Sequence, residues 1–196
     1  MNALIRAIEA EYLRYKALGE GALAQVAESA LCEPGPNGGN SLAVICWHVS
    51  GNLRSRFTDF LTTDGEKPWR HREEEFAARK VTRAELMEKW EQGWGVLVAT
   101  LASLTDADLS RTVTVRGQSL LASEAVLRSL AHASYHVGQI VYLAHALVGA
   151  TWLYLTIPPG ASAAYNTDPA NEKPRSHGAH ARGPADAARE REQRKP

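Results

Sequence analysis

The sequence predicts an all-α protein: a four-helix bundle over residues 1–165 and a disordered tail over residues 166–196. Three observations carry this. Apolar residues recur at steps of three and four in four long stretches. The breaks between them are mostly short, apart from a roughly 20-residue loop between the second and third, as bundles allow. From Asn166 onward Pro, Gly, Ala and charge dominate and apolar anchors vanish, so that segment cannot offset its chain entropy. A chain of 196 residues suits one domain with a sizeable core, and no internal repeat divides it.

The first helix is predicted over residues 2–32, with Ile5, Ile8, Tyr12, Tyr15, Leu23 and Val26 at helical spacing. Gly19 and Gly21 weaken its middle, where a bend or fraying is expected. The cluster Glu33-Pro34-Gly35-Pro36-Asn37-Gly38-Gly39 ends it. Asn40 or Ser41 can cap the second helix, which runs to about Leu61. His48 shares a face there with Ser41, Asn52, Ser55 and Asp59. That polar stripe is either a solvated outer face or the lining of a buried site.

Residues 64–76 form a charged loop with Trp69 and Phe76 as aromatic anchors. Its alternating Arg70, Arg72 and glutamates read first as an ion-paired surface loop. The functional alternative is an anion-binding lid, because arginine matches carboxylate geometry. His71 is expected to be exposed. Thr82-Arg83-Ala84-Glu85 is a capping box opening the third helix. Leu86, Trp90, Trp94, Leu97, Leu101 and Leu104 follow as a core seam, and the tryptophans read as packing. Thr112-Val113-Thr114-Val115-Arg116 alternates β-branched residues and reads as an extended connection. The fourth helix is expected over Ser119 to Val148. The apolar stretch from Trp152 to Ile157, stopped by Pro158 and Pro159, is expected to pack back on the bundle.

Composition excludes some functions. With 22 basic and 22 acidic residues, bulk charge drives neither nucleic-acid nor membrane-surface binding. No apolar run is long enough for a membrane span. The amphipathic start, Met1 to Glu9, does not read as a signal peptide. Cys32 and Cys46 are the only cysteines, too few for a disulfide framework, so a reducing cytoplasm is expected.

The chemistry lies in the fourth helix, at His132-Ala133-Ser134-Tyr135-His136. Residues i and i+4 lie about 40° apart around a helix, so the two imidazoles project together. Such a pair can grip one divalent metal if a third ligand exists. His48 can supply it if the second and fourth helices are neighbours. His145 lies on the opposite side of its helix, and His177 and His180 in the tail are not expected to be ligands. A zinc-protease motif fails, because Ala133 stands where that motif needs Glu as base. A di-iron carboxylate site fails for want of paired Glu-x-x-His motifs. Arg128, one turn before His132, could hold an anionic substrate group, which makes it the candidate catalytic side chain. It could equally pair with a structural carboxylate such as Asp59. Gln139 follows His136 on nearly the same face.

The run His132-Ala133-Ser134-Tyr135-His136-Val137-Gly138-Gln139-Ile140 resembles the HxxxHxGQI hallmark of the DinB-like superfamily of four-helix-bundle metalloenzymes. Trp47-His48-Val49-Ser50-Gly51-Asn52 matches the position of that superfamily's third histidine. The stretch from Phe57 to Arg70 resembles one bacterial branch of unknown function. The resemblance covers about residues 3–165. It implies a three-histidine site, His48, His132 and His136, for nickel, zinc or a similar divalent ion, and often a homodimer. Some relatives are S-transferases or isomerases that use low-molecular-weight bacterial thiols.

The expectation is therefore a cytoplasmic metal-dependent enzyme acting on a small molecule, with no nucleic-acid or membrane partner. With a thiol it would form an S-conjugate; with water it would be a hydrolase. A bundle of a different class, non-catalytic or stress-associated and holding a structural ion, remains the alternative. A structural ion would have a fourth protein ligand and no cavity. Neither cysteine is placed to be the nucleophile: Cys46 points about 160° from His48 on its helix, and Cys32 sits beside a Pro-Gly turn.

Overall fold

A computed structural model describes residues 2–169. Of the tail expected to be disordered from Asn166, residues 166–169 are described and form an exposed turn in which the Asn166 amide donates to Ser162 O at 3.0 Å. From position 170 onward the expectation, and His177 and His180 with it, lie outside the described residues. Four helices make the bundle: α1 (Ala3–Gln25), α2 (Leu42–Phe57), α3 (Arg83–Ser103) and α4 (Ala122–Val148). A hairpin of β1 (Thr112–Val115) and β2 (Gln118–Leu121) precedes α4, and a short α5 (Ser162–Tyr165) follows it. α2 packs mainly on α3, and α1 on α4, while α2 also lies against α4. No helix among the described residues is long and apolar enough to cross a membrane.

The core is built from the predicted seams. Tyr12, Leu53, Phe57, Trp90, Trp94, Leu97, Leu101 and Ile140 are all buried. Truncating either tryptophan to alanine would cost about 3–5 kcal/mol through lost burial and the cavity left behind. The caps act as predicted. The Ser41 hydroxyl accepts from the Val44 amide at 3.2 Å. Thr82 and Glu85 exchange the two bonds of a capping box. Gly19 does not break α1. A Cβ there would come within 2.8 Å of the Trp90 ring, so its bareness admits that indole.

The ends of elements differ from expectation. α1 stops at Gln25, because Val26 and Ala27 are extended, and one 3-10 turn over Glu28–Ala30 follows. α2 stops at Phe57, and Asp59 turns the chain with φ of 49°. Thr112–Val115 is not a lone connection but half of an antiparallel hairpin in which Val113 faces Leu120. Ser119 to Leu121 therefore belong to a strand, not to the helix. The two-residue turn uses Arg116 and Gly117 with φ of 54° and 73°, the hand that matches strand twist.

One carboxylate fastens this hairpin to the long loop. Asp64 accepts from the amides of Glu66 at 2.7 Å, Arg116 at 2.8 Å and Gly117 at 2.8 Å. The Gly65 amide donates to Thr114 O at 2.8 Å. Loop and hairpin together wall off the face of α2 that carries His48. Trp152 packs back on the bundle and stacks on His145, with ring centroids 5.0 Å apart. Gln25 holds Leu153 through both backbone groups. Leu153, Tyr154 and Ile157 stay exposed, so only part of that stretch docks.

Candidate metal centre

His48 comes from the middle of α2, and His132 and His136 from adjacent turns of α4. The three ligand atoms all lie within 4.8 Å of one another, so the group could hold a metal ion. The ring centroids of His132 and His136 are 4.5 Å apart, and each is about as near to His48, at 5.2 and 4.7 Å. His48 is buried and the other two half-buried.

The donor set suits a cation. His48 Nδ1 donates to Glu75 Oε2 at 2.8 Å, which leaves Nε2 as the lone pair. His136 Nδ1 lies 2.7 Å from Gln139 Oε1, so with the amide so oriented its Nε2 is also free. Gln139 is itself held by the Tyr135 hydroxyl at 3.1 Å. His48 Nε2 and His132 Nε2 approach to 3.2 Å. Two imidazole nitrogens on one tetrahedral zinc stand about 3.3 Å apart, given bonds near 2.0–2.1 Å. Burial, then the neighbouring His136, His48, Arg70 and Arg56, push the His132 pKa down to about 3. Burial and His48 also lower His136, against a hydrogen bond to Gln139 that raises it. Both rings are thus held neutral, the form that ligates.

Sequence reasoning missed Glu75. It sits in a 3-10 turn over Arg72–Phe76, laid across α2. Its Oε1 accepts from Arg70 Nε at 2.8 Å, and its Oε2 from Arg70 Nη2 at 2.9 Å. Burial pushes the Glu75 carboxyl up, but hydrogen bonds from His48 and Arg70 outweigh it and hold it below the ordinary range. This is the carboxylate–histidine arrangement that fixes the tautomer and raises the basicity of a metal ligand. A signal existed: Gly51, next to His48's face, has no side chain, and a Cβ there would sit 2.1 Å from Glu75 Oε1.

The loop splits into two roles. Arg72 pairs with Glu73 at the surface, as expected. Arg70 turns inward, its side chain only 2% exposed, so the surface-pair reading does not hold for it. His71 is exposed. The polar stripe of α2 is buried: Asn52 and Ser55 face inward, and Ser55 donates to Gly65 O at 2.7 Å. Asp59 has left the helix and is exposed. Arg128 is also exposed, and among the described residues neither Asp59 nor any other carboxylate pairs with it.

Beside His48 and His132 opens a cavity of about 370 Å³. Phe57, Phe60, Val113 and Leu120 give it an apolar wall, and Asn52, Ser129 and Arg128 also reach it. Cys46 lies elsewhere: it is fully buried, and burial pushes its thiol far above the usual range. Cys32 Sγ is occupied by the backbone of Val81.

Fold and site together define a helical bundle with a candidate three-histidine metal centre beside a cavity that His48 and His132 help to line. The chain belongs to the family described as protein of unknown function (DUF1572), whose profile matches residues 2–161. No curated protein matches the chain. No solved structure matches it either.

Proposed function

We propose that the protein is a metal-dependent enzyme in which His48, His132 and His136 hold one divalent ion, nickel or zinc, and a small molecule reacts in the adjoining cavity. The observation that carries this is the convergence of the three imidazoles, two of them oriented from behind by Glu75 and Gln139. The likeness of His132 to Ile140 to the DinB-like hallmark points the same way. An ion there would supply Lewis acidity, lowering the pKa of a water or thiol bound beside it.

The protein's own groups do the rest. Glu75 fixes the ring of His48, and Gln139 that of His136. Phe57, Phe60 and Leu120 exclude water from one side of the cavity. A purely structural ion is disfavoured, because the group has three members among the described residues and faces open space. The reaction we favour is transfer of a low-molecular-weight thiol to an electrophilic acceptor. The thiol must come from outside, since Cys46 is sealed in the core and Cys32 is engaged. A homodimer fits the exposed Leu127, Tyr135 and Tyr142 along α4.

The test begins with elemental analysis of protein purified without an affinity tag. One nickel or zinc per chain is expected, lost in His132→Ala. Metal-loaded protein is then incubated with bacterial thiols and an electrophile. Conjugation retained in Cys46→Ala and lost in His132→Ala supports transfer. Hydrolysis of esters or amides without any conjugation would replace it with a hydrolase.

A further inference from the structure

The cavity beside the imidazoles carries an unusual charge set. Five arginines line it, Arg56, Arg70, Arg72, Arg116 and Arg128, and no aspartate or glutamate does. The carboxylates that answer them stand behind the wall. Glu66 is shared by Arg56 and Arg116, at 3.2 and 2.9 Å. Glu75 takes Arg70 at 2.8 Å, and Glu73 takes Arg72 at 2.8 Å. Two guanidinium charges are left without a carboxylate of their own, and Arg128 has no ion pair at all among the described residues.

A second observation is independent of that count. Arg70 Nη1 is buried and has no hydrogen-bond acceptor. The carboxylate oxygen Glu66 Oε1 stands 4.0 Å from it, beyond hydrogen-bond reach. A buried charged donor left open is costly, and such orphans persist where an absent partner satisfies them. A planar guanidinium presents paired donors that match carboxylate or phosphate oxygens.

We propose that the cavity takes a small organic anion, a carboxylate or phosphate monoester with an apolar body, whose charged end is held at the arginine wall by Arg128 and the open Nη1 of Arg70. The apolar body lies against Phe57, Phe60 and Leu120, and the uncharged end faces the imidazoles. The volume of about 370 Å³ suits a molecule of this class. The inference deepens the metal-centre reading and rests on it only for which end faces the histidines.

The full chain, metal-free and zinc-loaded, is titrated by calorimetry with hexanoate, hexyl phosphate and the uncharged hexanamide. In metal-free protein at least one anion should bind tenfold or more tighter than hexanamide, and which one does so separates the two sources of the charge. Arg128→Gln, at an exposed position, should abolish most of that advantage, and Arg128→Lys should restore part of it. Equal affinity for anions and hexanamide, or an advantage untouched by Arg128→Gln, overturns the proposal. So does an advantage seen only with zinc, which would put the anion on the ion. Zinc uptake by wild type and His132→Ala is measured separately, so an empty metal centre leaves the metal-free titration decisive.

Discussion

His48 Nδ1 donates to Glu75 Oε2 at 2.8 Å across 27 residues of chain. One end of that bond is a side chain from the helical core, the other a turn in a charged loop. Arg70 grips the same carboxylate with two nitrogens, so loop, helix and metal candidate form one unit. Phe76 closes it, its ring centroid 4.7 Å from that of His48.

Glu75→Gln should therefore weaken metal binding by about 10–100-fold, the usual effect of removing an outer-shell carboxylate. Chelator competition reads this directly, and unchanged affinity would contradict the role given to Glu75. Glu75→Ala should also cost stability, about 3–5 kcal/mol, because it strands the buried Arg70 charge. A double variant with Arg70→Met should recover part of that loss in a melting experiment.

Gly51→Ala puts a methyl where the Glu75 carboxylate lies, 2.1 Å from Oε1 and 2.6 Å from Cδ. A free glutamate would swing aside cheaply, but this one is pinned by Arg70 and His48. Metal affinity should fall by about tenfold, at the lower end of the outer-shell range. Gly95→Ala is the contrast. Nothing lies within 4 Å of its Cβ on the exposed face of α3, so it should stabilise the chain by about 0.5–1 kcal/mol. If both variants shift the melting temperature upward and neither changes metal affinity, the close fit around Glu75 has no functional weight.

Gly93→Ala tests the packing of α3 on α2. Its Cβ would lie 2.5 Å from Ser50 Cα, and backbone cannot swing away. Pushing the helices apart should cost about 1–3 kcal/mol, as overpacking does. A melting temperature equal to wild type would show that the two helices have slack.

Periodicity made the helices readable. Trp90, Trp94, Leu97 and Leu101 recur on one seam because 3.6 residues make a turn, and the spacing of His132 and His136 follows from the same geometry. His48 was legible as a candidate because it broke an apolar helix with a polar stripe. The likeness to a known family added the pairing of α2 with α4. What stayed hidden depends on tertiary contact. Glu75 looks like any of three consecutive glutamates, and only the turn over Arg72–Phe76 selects it. For Arg70 the sequence leaves a surface ion pair and an anion-binding lid both open, because nothing in it places the partner. The hairpin was missed since its turn uses Arg116, a residue that takes positive φ only when something holds it there.

That something is Asp64, and its role depends on pH. Its carboxylate accepts from the amides of Glu66, Gly117 and Arg116, and these bonds, the first two above all, hold its pKa below the ordinary carboxylate value of 3.8, against desolvation, which raises it. The folded state thus binds this proton more weakly than the unfolded state. The stability that Asp64 contributes is complete above the unfolded value and is lost as pH falls through the lower, folded one. The amide resonances of Glu66, Arg116 and Gly117 should titrate together, with a midpoint below 3.8. Asp64→Asn removes the titrating charge but can keep one acceptor. Its melting temperature should sit below wild type at pH 6 and converge with it in acid. The cavity wall should loosen with it, because Gly65 and Thr114 are joined beside that carboxylate. A midpoint at or above the ordinary carboxylate range, or an Asp64→Asn protein as stable as wild type at pH 6, would show that the turn holds itself.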